Sequence, residues 1–351
     1  MGPELVTVSA GGSLWSAFER VAVAAGANEA ARSFSLAIAA ENGPSAAAWT
    51  FACGTEVSIF ANGDLLVTGY VDRYQPKLSE KNQAIIHVSG RSKAQDAVDS
   101  SAIHPTGHFE NQTLLQIAQT LDLFGIGFSS DQQLNQIPFY HITPGETVFR
   151  AIEKLARQQG VILMGQPDGS VIITRAGSGQ NSPLIEGVNC KALEADHNWA
   201  GRHSHAIARG QRPIGTGTDN LQIEEQAQDG AVSRYRPVVV VLDDDTDTQR
   251  AQQAANWRLA REAGHSLKAH IQTQGFHDDG GQLWAPGNLT FVDSDFLDIH
   301  QTMAIERIQY SQARGPGSIA HISLCDPQAL GGKGGGAGTS NKAWSTKFKS
   351  E

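Results

Sequence analysis

Cysteine is scarce. The three thiols in 351 residues, Cys53, Cys190 and Cys325, are far apart, odd in number and without a C-x-x-C partner, which excludes a disulfide framework and a cysteine zinc site and points to synthesis in a reducing compartment. Basic residues are in deficit as well, 27 Lys and Arg against 36 Asp and Glu for a formal charge of −9. That balance argues against a surface built to neutralise nucleic-acid phosphates. No window approaches the roughly 18 uninterrupted apolar residues of a membrane-spanning helix. The start, MGPELVTVSAGGSLW, lacks the basic and apolar segments of a secretory signal. There is no G-x-S-x-G elbow, Walker loop or dinucleotide fingerprint, and no helix follows the Gly-rich end to hold a phosphate, so neither an enzyme nor a cofactor is expected.

What is present is a folded chain with 40% hydrophobic residues, long enough for two or three domains at roughly 100 to 200 residues each. Residues 1–105 read as a first β-barrel domain: ELVTVS, FSLAIA, EVSIFANGDLLVTGYVDRY and QAIIHVSG alternate apolar and polar residues between turn formers. Asn62-Gly63 marks a tight hairpin. Residues 106–180 change to helical period. Leu114, Ile117, Ala118, Leu121 and Phe124 share one helix face, then Val148, Phe149, Ile152, Leu155 and Ala156 share another, with Gly125 and Gly160 as stops. VILMGQPDGSVIITRAG follows as a hairpin, which completes a small α+β domain. Residues 181–330 return to strands with one inserted helix, DTQRAQQAANWRLAREAG, and Val238 to Leu242 reads as a buried central strand. Residues 331–351 form a Gly-rich tail with a short basic end, either loose or docked on a partner.

The two β-rich parts carry matched features. Gly54 opens GTEVSIF and Gly287 opens GNLTFVD. Downstream stand Val71-Asp72-Arg73-Tyr74 and Ile305-Glu306-Arg307-Ile308, and then a histidine inside an apolar strand, His87 in AIIHVS and His321 in SIAHIS. The shared order predicts one duplicated barrel, and two like domains per subunit in a three-fold ring would give six nearly equivalent surfaces. Asp72 and Glu306 as a glycosidase pair would need to converge across one bond, which equivalent positions in two barrels do not do. Both histidines read as core or interface residues. His203 and His205 have no third ligand spaced to go with them. Asp243 to Asp245 with Asp247 reads as helix capping rather than as a calcium loop. In SGRSK, Arg91 and Lys93 could cradle a phosphate or hold a neighbouring domain or subunit, and contact is the favoured reading.

GYVDRYQP, VSGRSKAQDAVDSSA, TPGETVFRAIEKLARQQGVILMGQPDGSVIITRAG, LWAPGNLTFV and AIERIQYSQARGPGSIAHISLCDP, in that order, resemble the Mu-like tail protein P family, the baseplate hub of contractile phage tails. The plan is also similar to the hubs of T-even phages and of type VI secretion spikes. The resemblance implies a virion protein made in the host cytoplasm, a homotrimeric ring with pseudo-six-fold symmetry. It would be mounted on a central spike, receive the tail tube or a tube-initiating protein, and be surrounded by baseplate wedges. The lumen would pass the tape-measure protein and then DNA, with no specific nucleic-acid binding and no membrane insertion. Asp72, Arg73, His87, Arg91, Lys93, Glu306, Arg307 and His321 are the interface or structural candidates. A cell-wall-acting or carbohydrate-binding tail protein, and a DNA-binding module centred on Arg91 and Lys93, remain the alternatives.

Overall fold

The computed structural model describes residues 4–40, 50–78, 84–211, 222–315 and 317–333; of Ala40 and of 243–245 only the backbone is described. The first part holds seven strands: β1 (Val6–Ala10), β2 (Ser13–Trp15), β3 (Arg20–Gly26), β4 (Ser33–Ala40), β5 (Glu56–Ala61), β6 (Asp64–Leu78) and β7 (Ala84–Ser92). Next come α1 (Gln95–Asp99), β8 (His108–Thr113), α2 (Leu114–Leu121), β9 (Phe128–Ser130), β10 (Gln136–His141), α3 (Val148–Gln158), β11 (Ile162–Gly165) and β12 (Val171–Thr174). The last part holds β13 (Leu184–Ile185), β14 (Cys190–His197), β15 (His205–Gln211), β16 (Ile223–Gln228) and β17 (Pro237–Asp245). After α4 (Thr248–His265) it continues through β18 (Leu267–Gln274), β19 (Leu289–Ser294), β20 (Ile299–Ala313) and β21 (Gly317–Cys325) to a 3-10 turn at Pro327–Leu330.

The fold is mainly β, with the helix-and-hairpin unit inserted as expected. The two β-rich parts, however, do not close as two barrels. They share one open sheet whose strands run β14-β18-β21-β20-β3-β4-β7-β6-β5-β1-β2, with β19 and β13 branching from β20. The cause is the length of β20. Its first six residues pair with β19, and its last seven, Arg307 to Ala313, pair antiparallel with β3. Alternation does the rest: Phe34, Leu36 and Ile38 of β4, Ile86 and Val88 of β7, and Ile271, Ile322 and Leu324 of the last part enter one common core. The predicted hairpin is present, with Asn62 at φ 50° and Gly63 at φ 96°, the left-handed pair that a two-residue turn requires.

In the inserted unit, Leu114, Ile117, Ala118 and Leu121 are buried as predicted, behind a capping box between Thr113 and Gln116. Phe124 is not on that face. The helix stops at Leu121 because the Asp122 carboxylate accepts from the amides of Ile126 and Gly127, at 3.0 and 2.7 Å, and turns the chain away. On α3 the buried stripe is Val148, Ala151, Ile152, Leu155 and Ala156, with Phe149 at its margin. The β11–β12 hairpin forms as expected, and β9 adds to it in parallel, a pairing that carries no local signal.

A second correction concerns Val238 to Leu242. In the sheet β16-β15-β17 it belongs to an edge strand paired only with β15. Val238, Val240 and Leu242 pack towards α4, while Val239 and Val241 are 47% and 69% exposed. A run of β-branched residues does not reveal whether one face or both are covered.

The N-terminal strand is tied to the last part by a polar chain. His277, nearly buried, places Nδ1 2.9 Å from Glu4 Oε1 and Nε2 2.9 Å from Asp64 Oδ2. Burial opposes its charge, but the hydrogen bonds to Glu4 and Asp64 outweigh that and raise its pKa. A raised folded-state value stabilises the fold below the unfolded value of about 6.5, and the contribution fades as pH rises through the folded value. Wild type should therefore exceed His277→Gln in urea-unfolding stability near pH 6, with the gap narrowing towards pH 9. A gap independent of pH would refute the charged latch.

Candidate assembly interface

The duplication read from the sequence has a geometric counterpart. β5 and β19 are each 6 residues long, β6 and β20 each 15, and β7 and β21 each 9. Gly54 and Gly287 both adopt left-handed φ, 84° and 81°, just ahead of β5 and β19. Both long strands carry a bulge at the same place: register shifts between Val71 and Arg73 and again between Ile305 and Arg307, so Asp72 and Glu306 are the extra residues. The two histidines take equivalent places too, His87 opposite Gln75 and His321 opposite Gln309.

The bulge carboxylates do not converge on each other; each neutralises local cations. Asp72 Oδ2 accepts from Arg91 Nε at 2.9 Å, and Arg91 also donates to both oxygens of Asp99 at 3.1 and 2.7 Å. Hydrogen bonds to Asp99 and Asp72 raise the Arg91 pKa above its ordinary value. Lys93 pairs with Glu56 at 2.7 Å. The hinge cations thus join β6, β5 and α1 within the chain, and a phosphate there would have to displace carboxylates. Glu306 accepts from Lys268 at 2.8 and 3.0 Å, and Arg307 pairs with Glu29. The hinge glycine is a matter of close approach: a Cβ on Gly90 would lie 2.0 Å from the Tyr70 carbonyl oxygen and 2.5 Å from the Phe34 ring.

The polar face of the shared sheet is made mostly of small and polar side chains, with two arginines among them. Ala22, Ser35, Ala37, His87, Ser89, Gln75 and Gln309 share one shallow depression with Arg20 and Arg73 across the β3–β20 junction. His270, bonded to Ser323, and Gln272, paired with His321, continue this surface on β18 and β21. His203 and His205, by contrast, point to separate partners, Glu262 and Ser204. No cluster of three metal-ligating side chains occurs among the described residues. Asp247 caps α4 by accepting from the Arg250 amide at 2.8 Å; the side chains of Asp243 to Asp245 lie outside the described residues.

Besides the short end strand β2, two long stretches of the large sheet have a free edge among the described residues. Beyond Val71, β6 pairs with β7 on one side only, and Arg73, Gln75, Pro76, Lys77 and Leu78 are exposed. The sheet's other end is β14, paired only with β18, with Lys191, Ala192, Glu194, Asp196 and His197 exposed. The sequence reading passed over β14, although its period-2 alternation of Leu193 and Ala195 with Glu194 and Asp196 was the available signal.

The duplicated, sheet-sharing β fold is one found in phage tail proteins. The chain is similar to Mu-like baseplate hub proteins over its first two parts. Residues 5–92 match the family of the Mu phage baseplate assembly protein GpP-like N-terminal domain, and residues 94–175 match the baseplate hub protein gp44-like second domain. The two matches meet within the SGRSK hinge. The baseplate hub protein gp44 of Escherichia phage Mu is 26% identical over 309 residues, spanning 85% of this chain and 81% of that protein. The 43 kDa tail protein of prophage MuSo2 from Shewanella oneidensis superposes with a TM-score of 0.81 at 28% identity, over 93% of this chain and 99% of that one. An Escherichia coli type VI secretion component, described as similar to the T4 tail proteins gp27 and gp5, shares the fold at TM-score 0.55 and 10% identity. It covers 90% of this chain and 76% of its own.

Proposed function

We propose that copies of this baseplate hub close into a ring by strand pairing, β14 of one copy adding to the open length of β6 in the next. The observation that carries this is the junction already made inside the chain, β20 with β3. β20 corresponds to β6 by its length, bulge and paired glutamine. β3 corresponds to β14, because each is the outer neighbour of the strand that lies against the histidine strand. The chain therefore holds one complete junction and the two halves of a second. Such contacts are head-to-tail and close only in a ring. Three copies, the number the family resemblance implies, would give six similar junctions.

The register follows from the correspondence. Ala24 lies opposite Gln309, and by position Asp196 corresponds to Ala24 and Gln75 to Gln309. Asp196 of one copy would then face Gln75 of the next, Glu194 would face Lys77, and Leu193 would face Leu78. Pro76 and Lys77 are residues that keep an open edge from pairing indiscriminately.

The chain's formal charge of −9 supports a lumen that lets a tape-measure protein and DNA pass without gripping a polyanion. The central spike, tail tube and wedge proteins are the partners this role calls for. The Gly-rich tail, read from the sequence as loose or docked on a partner, lies outside the described residues from 334 onward. A structural role, rather than wall-directed catalysis, is supported by Asp72 and Glu306, each bound to its own cations. The ring is tested by native mass in solution at low micromolar concentration. Three times the chain mass of 37.4 kDa is expected, and a strict monomer at every concentration would overturn self-assembly.

A further inference from the structure

Between α3 and the β17–α4 unit lies a cleft of about 720 Å³, a volume within the range of roughly 300 to 1,000 Å³ common for binding clefts. It is basic on a chain that is acidic overall: Arg150, Lys154 and Arg157 line it from α3, Arg258 and Arg261 from α4, against Glu146 and Glu153. The carboxylates within reach are already engaged. Glu153 holds Arg157, Glu262 holds Arg258 and His203, and Glu146 accepts from Tyr140 and the Thr143 amide. Arg261 makes no ion pair among the described residues; burial lowers its pKa, and repulsion from Arg157 and Arg258 adds to this. Along the same cleft runs β17, represented by Val240, Val241 and Leu242, whose second edge has no strand partner among the described residues.

We propose that this cleft binds an extended acidic segment of a partner polypeptide, which adds as a strand to β17 and sets its carboxylates against the cations of α3 and α4. Three features favour a peptide over a nucleic acid. An open backbone edge offers ladder hydrogen bonds that only another strand can complete. Val241 presents an exposed apolar side chain in the cleft where a phosphate backbone would gain nothing. The cations flank that edge, as an alternating acidic strand requires.

The test is fluorescence anisotropy on the full chain at low salt, with a labelled peptide of about ten residues alternating Val and Glu. Saturable binding is expected, weakened roughly tenfold by Arg150→Glu and by Val241→Glu. Both positions are exposed, and unchanged circular dichroism would confirm that the fold is kept. A peptide of the same sequence N-methylated at alternate residues should lose binding, because it cannot complete the ladder. No binding at low salt, or binding unaffected by both substitutions, would overturn the site. Equal binding of the N-methylated peptide would overturn strand addition. A single-stranded DNA oligonucleotide that binds where the peptide does not would reassign the cleft to nucleic acid.

Discussion

A Glu194→Lys variant will stay a folded monomer under conditions where the wild-type chain forms its ring, and adding Lys77→Glu will restore the ring. Both side chains are exposed within a single chain, so neither change touches the core. In the proposed register they lie directly opposite each other across the junction, where like charges oppose pairing. Such a clash at an interface can cost several kcal/mol, and a closed ring repeats it at every junction between copies. The double variant recovers opposite charges with the partners exchanged. Native mass and circular dichroism read both halves of the prediction. Recovery by the double variant would fix the register; a Glu194→Lys chain that keeps the wild-type mass would remove this pairing.

The second large effect is on stability. Arg32 is buried, yet no carboxylate among the described residues is bonded to it. Its Nε donates to the Gly165 carbonyl at 2.9 Å and its Nη1 to the Leu66 carbonyl at 2.8 Å, while its backbone exchanges hydrogen bonds with Ser92. One side chain thus ties the β3–β4 turn, β6 and the β11–β12 hairpin together beside the hinge. The fit is close, since a Cβ on Gly165 would lie 2.0 Å from the Ala30 carbonyl oxygen. Arg32→Met keeps much of the apolar stem but leaves two buried carbonyls without donors. The expected loss is about 2 to 4 kcal/mol, from two charge-assisted hydrogen bonds and the desolvation left behind. Urea unfolding measures it, and a loss below about 1 kcal/mol would mean that water or neighbouring amides take over both carbonyls.

Much of this was legible locally. The Asn62-Gly63 hairpin, the buried stripes of α2 and α3 and the β11–β12 hairpin follow from periodicity and turn chemistry, because those signals lie within a few residues of each other. The repeat was legible too, through Asp72 with Glu306 and His87 with His321, although the residues themselves did not say that the acids are bulge residues. Where the reading failed, the deciding contact was distant. Phe124 left its helix face because Asp122 caps the chain early, and Val239 and Val241 of β17 stayed exposed because α4 covers only the other face of their sheet. Arg32 gave no signal, since its partners lie 34 and 133 residues away.

The sequence by itself determined the strand and helix alternation, the repeated order of features and the family resemblance, since each is written in spacing along the chain. Only the tertiary structure decided that the two halves share one open sheet and that β14 and the far length of β6 have a free edge among the described residues. It also decided that the hinge cations are neutralised from within. The reason is physical: strand pairing and ion pairing between distant segments depend on which backbone edges and charges the folded core brings together, and residue order does not record that meeting.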